Sequence, residues 1–253
     1  MAHMTAWYWD RGNFRETNED SFSLQRVRLC KKGVFGGCRK DKGGTPAAFL
    51  LVCDGIGGMP EGEIASGFAA ERLTEWFYGE GIDRMRALFW QKKAAQSALA
   101  AFEKVQEEIE RFEQREKVCI GTTCTMALVK GQGFLLLHTG DSRAYLIGRR
   151  ERRLTQDHYS GGALRRCLGA FCHQGPDVLW GRMGKKETLL LCTDGFYRAL
   201  PEGFLKGCFY GDRQEKGNCY KRLKGAANFG KAQGEKDNQT AVLLRQEGRG
   251  QDG

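Results

Sequence analysis

Five aspartates close strongly apolar, strand-like runs, each in a short turn containing Gly or Asn. They lie in Asn18-Glu19-Asp20, Val52-Cys53-Asp54-Gly55-Ile56-Gly57-Gly58, Gly140-Asp141-Ser142-Arg143, Cys192-Thr193-Asp194-Gly195 and Lys236-Asp237-Asn238. The end of a buried strand is a costly place for a carboxylate, because an unpaired, desolvated one tends to take up a proton. Several carboxylates converging there would also repel one another. A hard divalent cation removes both problems, and oxygen-only ligands favour Mg2+ or Mn2+ over zinc. The pattern reads as a carboxylate cage around metal ions. Two such ions ~3.5–4 Å apart lower the pKa of a shared water and stabilise in-line displacement at phosphorus.

The elements that must hold this cage follow from periodicity. Phe14 to Leu29 alternates imperfectly and reads as strand, and Lys31 to Thr45, rich in Gly, Lys and Arg, as an exposed hairpin connection. Ala47 to Cys53 is continuously apolar, so a buried strand. Pro60 near the start of the next segment, with Glu61 and Glu63 behind it, suits a helix N-terminus, the helix running to about Tyr78. A longer helix is expected from about Asp83 to Glu116, with Leu88, Ala95, Leu99, Phe102, Ile109 and Phe112 forming one apolar stripe. Thr122 to Val129 and Gly133 to Thr139 make a hairpin about Lys130-Gly131-Gln132. Strands at Arg143 to Ile147, Arg153 to Thr155, Thr188 to Cys192 and Thr240 to Gln246 follow, with a helix at about Asn218 to Phe229. Sequential hairpins with helices grouped apart predict an antiparallel α+β layered fold, not a parallel doubly wound sheet.

Composition narrows the class. The 253 residues are 28% charged and 41% hydrophobic, ordinary for a globular chain. No apolar run approaches the ~20 residues of a membrane helix, and no secretory leader is visible, so a cytoplasmic, membrane-free setting is expected. Met1-Ala2-His3-Met4 reads as a cloning remnant without structural weight, and residues 5–253 as a single domain. The 10 cysteines contain no C-x-x-C pair, and Cys53, Cys124 and Cys192 lie inside apolar strands, so they read as reduced small hydrophobes. The net charge is +9, with clusters at Arg149-Arg150-Glu151-Arg152-Arg153 and Lys216 to Lys231. Without interleaved aromatics these read as solvated faces rather than a nucleic-acid site, although the positive field would steer phosphorylated partners.

Seven segments stand in the order found in the metal-dependent type 2C serine/threonine protein phosphatases. They are Gly12-x-x-Arg15-x-x-Asn18-Glu19-Asp20, Asp54-Gly55-x-Gly57-Gly58 with Gly62 and Ala65-Ser66, Gly121-Thr122-Thr123, Gly140-Asp141-Ser142-Arg143, Leu154-Thr155-x-Asp157-His158, Asp194-Gly195 and Asp237-Asn238-x-Thr240. The chain resembles the compact bacterial members from about Arg11 to Leu244. The resemblance implies two antiparallel sheets packed as a sandwich, with helices on both outer faces (α-β-β-α). It implies that Asp54 bridges two cations, Gly55 offers its carbonyl to one, and Asp194 and Asp237 complete the other site. Glu19 and Asp20 would hold metal-bound waters, Asp141 with Asp194 a weaker third cation, and Arg15 the substrate phosphate. The guanidinium fork suits phosphate oxygens in a way lysine does not. The implied activity is hydrolysis of phosphoserine and phosphothreonine in proteins by metal-activated water without a phosphoenzyme. The implied partners are phosphoproteins, among them a bacterial Ser/Thr kinase, met by a monomer.

Three positions depart from that pattern. Ile56 stands where some relatives carry a histidine. The flap is absent, since Asp157-His158-Tyr159-Ser160 is followed almost at once by Arg165-Arg166-Cys167-Leu168-Gly169. Arg198 replaces an acidic residue after the Asp194 turn, where its charge should oppose a third cation or contact phosphate. His138 and His158 read as structural. Two other functions compete: a non-catalytic phosphatase-fold module that binds a kinase or phosphoprotein, and hydrolysis of small phosphorylated metabolites in an open, flapless site.

Overall fold

The structure, a computed structural model, describes residues 3–24, 27–29, 35–41, 48–56, 62–86, 88–170, 174–210 and 219–246. In chain order, strands β1 (His3–Asp10), β2 (Asp20–Leu24), β3 (Val27–Leu29), β4 (Phe35–Asp41) and β5 (Ala48–Asp54) come first. Helix α1 (Gly62–Trp76), a π-helical turn (Phe77–Gly81), α2 (Ile82–Arg84) and α3 (Trp90–Glu116) follow. Then come β6 (Gly121–Thr122), β7 (Cys124–Lys130), β8 (Gly133–Thr139), β9 (Arg143–Ile147), β10 (Glu151–Arg153), β11 (Tyr159–Ser160), β12 (Ala163–Leu164), β13 (Leu168–Gly169), β14 (Asp177–Arg182) and β15 (Thr188–Cys192). The chain closes with α4 (Asp194–Tyr197), α5 (Phe204–Phe209), α6 (Cys219–Ala232) and β16 (Gln239–Gln246).

Two six-stranded antiparallel sheets, ordered β10-β9-β15-β16-β1-β4 and β14-β8-β7-β5-β2-β3, form the centre. Strand alternation builds three apolar layers. Leu50, Val52, Leu136, Leu189, Leu191, Val242 and Leu244 fill the space between the sheets. Their neighbours Phe49, Leu51, Leu135 and Leu137 pack outward against α1 and α3, where Leu73, Ala98 and Phe102 meet them. On the opposite side Leu190, Cys192, Ala241 and Leu243 meet Phe196, Leu205, Leu223 and Ala227 of α4, α5 and α6. Both faces of the central strands are buried, which is why their sequences run continuously apolar. The expected α-β-β-α sandwich is the fold observed.

Local differences have physical reasons. His3 and Met4 belong to β1, pairing with Gln246 and Arg245, and Met4 is buried. His3 and Met4 therefore carry structural weight, which the sequence did not lead one to expect of them. The strand expected from Phe14 starts only at Asp20, because residues 11–19 form turns and Phe14 is exposed. The long helix starts at Trp90 rather than Asp83: Phe89 adopts a left-handed backbone (φ 54°) and Leu88 points into solvent. Part of the supposed exposed connection, Phe35–Asp41, is edge strand β4. Gly57, Gly58, Pro60 and Glu61 lie outside the described residues.

Candidate functional site

The antiparallel register of β2 and β5 sets Asp20 directly opposite Asp54. The backbone around Asp54 is pinned by the Gly121-Thr122-Thr123 segment. The Thr122 hydroxyl (2.9 Å) and the Thr123 N–H (2.8 Å) donate to the Asp54 carbonyl, and the Asp54 N–H donates to Thr123 Oγ1 (3.1 Å). Gly55 follows in a crowded corner. Its N–H donates to the Glu19 carbonyl (3.1 Å), and a Cβ at this position would lie 2.5 Å from the Gly62 carbonyl group. Ser66 of α1 donates to the same Glu19 carbonyl at 2.5 Å. Asp20 is buried, one of its oxygens accepting from the Thr193 hydroxyl at 2.9 Å. Its other oxygen is buried and, among the described residues, meets no hydrogen-bond donor at bonding distance.

The second half of the cluster comes from the ends of β15 and α6. Thr193 donates its N–H to the Thr240 carbonyl (3.0 Å), holding the start of α4 against β16. A Cβ on Gly195 would meet the Asn238 carbonyl oxygen at 2.2 Å and Asp237 Cβ at 2.9 Å, so only glycine permits Asp194 and Asp237 to share this corner. Asn238 clasps the loop that carries Arg15. Its amide donates to the carbonyls of Arg11 (2.8 Å) and Thr17 (3.1 Å), and its oxygen accepts the Glu19 N–H (2.8 Å). Arg15 reaches Asp237 Oδ1 through Nε (2.9 Å) and Nη2 (2.8 Å). Arg198 pairs with Asp194 and lies 3.5 Å from Glu235 and 3.7 Å from Asp237. Glu235 is buried and caps the Lys236 (2.8 Å) and Asp237 (3.0 Å) N–H groups.

Asp141 joins from the turn before β9. The Tyr197 hydroxyl donates to its carbonyl at 2.8 Å. The neighbouring Arg143 guanidinium lies 3.7 Å over the Tyr197 ring and forks onto Asp157, at 2.6 Å through Nη2. His158 is structural in this arrangement. Gly140 donates its N–H to Nδ1 (3.1 Å), which leaves the Nε2 proton for Asp177 (3.0 Å). His138 is satisfied between the Thr125 hydroxyl (2.9 Å) and the Gln156 carbonyl (3.0 Å).

The structure therefore gathers Arg15, Glu19, Asp20, Asp54, Gly55, Asp141, Asp194 and Asp237 at one end of the sandwich. Asn238, Glu235, Thr193 and Thr123 were not assigned roles from sequence, yet they fix the cluster. Thr123, Thr193 and Asn238 stood within the quoted segments without a stated role, and Glu235 carried no signal beyond lying near Asp237.

The electrostatics are those of uncompensated charge. Burial, then Asp20, Asp141 and Asp237 as like charges, push the Asp54 carboxyl well above the usual range. Burial raises Asp20 to about 7 and also raises Glu19 and Asp141. Among the described residues Asp20, Asp54 and Asp141 have no ion-pair partner, and an all-oxygen donor set with an orphaned buried Asp20 oxygen fits a hard divalent ion. No three acidic, His or Cys side chains among the described residues are already closed on one point as a finished ligand set. Arg198 instead lies across Asp194 and Asp237 as a resident cation.

With fold and cluster in view, the comparisons place the chain. The family model described as Protein phosphatase 2C matches residues 37–210, well over half of the sequence. The chain belongs to the protein phosphatase 2C family and is by class a protein serine/threonine phosphatase. It is 28% identical over 269 residues to the serine/threonine phosphatase stp of Listeria innocua serovar 6a, covering 95% of this chain and 96% of that protein. It is 33% identical over 148 residues to the serine/threonine protein phosphatase PstP of Mycobacterium tuberculosis, covering 58% of this chain and 23% of PstP. Its fold matches Stp1 of Staphylococcus aureus with a TM-score of 0.78 at 22% identity, covering 96% of this chain and 95% of that one. The PstP catalytic domain, solved in complex with two manganese ions, matches with a TM-score of 0.70 at 21% identity, covering 97% of this chain and 99% of that one.

Proposed function

We propose that the acidic cluster is the active site of a Mg2+- or Mn2+-dependent phosphatase that hydrolyses phosphoserine and phosphothreonine in proteins. The observation that carries this reading is the buried Asp20 and the Asp54 set opposite it, both without an ion-pair partner among the described residues. A fold does not retain several such carboxylates unless something offsets them. Asp54 and the Gly55 carbonyl would serve one ion, and Asp54, Asp194 and Asp237 the other. Glu19 and Asp20 would hold coordinated waters, and Asp141 a third, weaker ion. When bound, the ions supply charge neutralisation and an acidified water.

The protein's own residues do the rest. Arg15 leaves part of its guanidinium in solvent beside Asp237, where its remaining N–H groups are placed for phosphate oxygens. Asn238 and Asp10 hold the turn that aims Arg15: Asp10 accepts the Gly12 N–H at 2.8 Å, and Gly12 has φ +79°. Tyr197 and Arg143 fix the Asp141 turn from behind. Purified protein with Mn2+ should hydrolyse p-nitrophenyl phosphate and a phosphothreonine peptide, and Asp54→Asn or Asp194→Asn should each abolish both. Metal-stimulated turnover that survives both substitutions overturns the assignment.

One observation favours a second reading. Arg198 already pairs with Asp194 and approaches Asp237, the arrangement of a binding module that no longer needs metal. Calorimetric titration with Mn2+ separates the two: saturable binding supports the enzyme, and none up to millimolar metal supports the module.

A further inference from the structure

The arginine cluster around 149–153 lines a cavity rather than a blank face. This cavity, of about 570 Å³, has five cations among the described residues of its walls: Arg143, Arg149, Arg150, Arg153 and Lys206. Its acids are Glu151 and Glu202. Glu151 already accepts the Lys206 backbone N–H at 2.8 Å. Arg143 and Arg153 both lean on Asp157. Arg149 and Arg150 are exposed and, among the described residues, their guanidinium groups have no ion-pair or hydrogen-bond partner. Tyr197 is a shared wall. It lines this cavity, donates its hydroxyl to the Asp141 carbonyl, and sits in the same short helix as Asp194.

We propose that this cavity binds an acidic segment of the phosphoprotein substrate that lies several residues from the one whose phosphate enters the metal cluster, since Arg149 and Arg150 follow the end of β9 remote from Asp141. The inference rests on the phosphatase reading above and extends it to substrate choice. Three features favour an acidic peptide. The unpaired guanidinium groups are planar forks matched to carboxylates. The cavity is a single depression of the size that holds a few side chains, not a stripe tracking a nucleic-acid backbone. Tyr145 and Tyr197 are both buried, and Arg143 covers the Tyr197 ring, so no open aromatic face is offered for base stacking. With only a short hairpin, Tyr159–Leu164, between His158 and Arg165, this rim is where selectivity has material to work with.

The test uses the full chain and its R149A/R150A variant, which leaves every proposed metal and phosphate ligand in place. Two phosphothreonine peptides are compared, one carrying a run of Asp and Glu several residues from the phosphothreonine and one with neutral residues there, with p-nitrophenyl phosphate as a substrate too small to reach the cavity. The wild-type chain should favour the acidic peptide by about tenfold in kcat/KM, expressed in KM, as expected for two exposed ion pairs. The variant should lose that preference and keep its turnover of p-nitrophenyl phosphate. Equal use of both peptides by the wild type, or an equal drop on all three substrates in the variant, overturns the proposal. Fluorescence anisotropy with a labelled, unphosphorylated Asp/Glu peptide separates the two readings. If the peptide binds through Arg149 and Arg150 but nothing is hydrolysed, the phosphatase reading fails and the cavity stands. If hydrolysis proceeds but no peptide binds, the cavity fails alone. A single-stranded oligonucleotide that binds more tightly than the peptide also overturns the acidic-segment assignment.

Discussion

Asp10 at the end of β1 and Asp54 at the end of β5 are both strand-terminal carboxylates, yet the molecule treats them in opposite ways. Asp10 is buried, but Lys231 pairs with it, the Tyr8 hydroxyl donates at 2.5 Å and the Gly12 N–H at 2.8 Å. Burial opposes ionisation there, and those partners outweigh it, so the carboxyl stays below its ordinary value. Asp54 receives no such help. Burial and three neighbouring aspartates drive it upward, with Arg198 only a partial counterweight. Position in a strand does not separate a structural acid from a functional one. The separating feature is whether the fold supplies the counter-charge or leaves it to be supplied from outside.

The largest effect that would break this contrast is at Asp54. Asp54→Asn should reduce metal-dependent turnover by more than about a hundredfold, beyond the usual cost of losing a supporting contact at a metal site. In chelator its melting temperature should not fall, because a neutral amide replaces a carboxyl whose charged form the metal-free fold disfavours; scanning fluorimetry checks this. Asp10→Asn should do the reverse, costing about 3 kcal/mol in urea unfolding because Lys231 loses its partner in a mostly buried setting.

A buried neutral group extends the comparison to pH. Burial first, then His158, lowers His138 to about 4 from 6.5. Between those values the unfolded chain binds the extra proton. The stability His138 contributes is therefore intact above 6.5 and lost as pH falls toward 4, by at most about 3 kcal/mol. In metal-free protein the raised Asp20 acts in the opposite sense, since its folded form holds the proton up to about 7. The difference in stability between the wild type and His138→Gln, measured from pH 7 to 4, isolates the histidine. A flat difference contradicts the assignment.

The smallest effect concerns Arg198, whose side chain is 52% exposed. Arg198→Gln should tighten Mn2+ binding by up to about tenfold and lower the metal-free stability by about 1 kcal/mol or less, as solvent screening dictates. Calorimetry and fluorimetry read the two changes, and their opposite signs are the test.

Much of the layered architecture was legible because central strands buried on both faces carry long apolar runs, as in Ala48–Asp54 and Thr188–Cys192. The acidic positions were legible because they interrupt those runs. Other features left no pattern to read. Strands β11, β12 and β13 are two residues long, and β14 exposes Trp180 along a sheet edge. The start of the long helix at Trp90 turns on one left-handed residue, Phe89, that directly precedes it. Asn238 gave no hint that it clasps Arg11, Thr17 and Glu19, since its partners are backbone groups more than two hundred positions away. Arg198 was readable as a charge out of place, but its reach across Asp194 and Asp237 required the coordinates.

Strand β1 lies between β16 and β4, registered along its whole length against the last strand of the fold. During synthesis, residues 3–10 must wait for residues 239–246 before this sheet can close. The ligands proposed on Asp194 and Asp237 are brought together only at that moment. Such long-range pairing folds slowly, so a nascent chain would expose both apolar faces of β1 until β16 has emerged, and catalytic competence would wait for that strand.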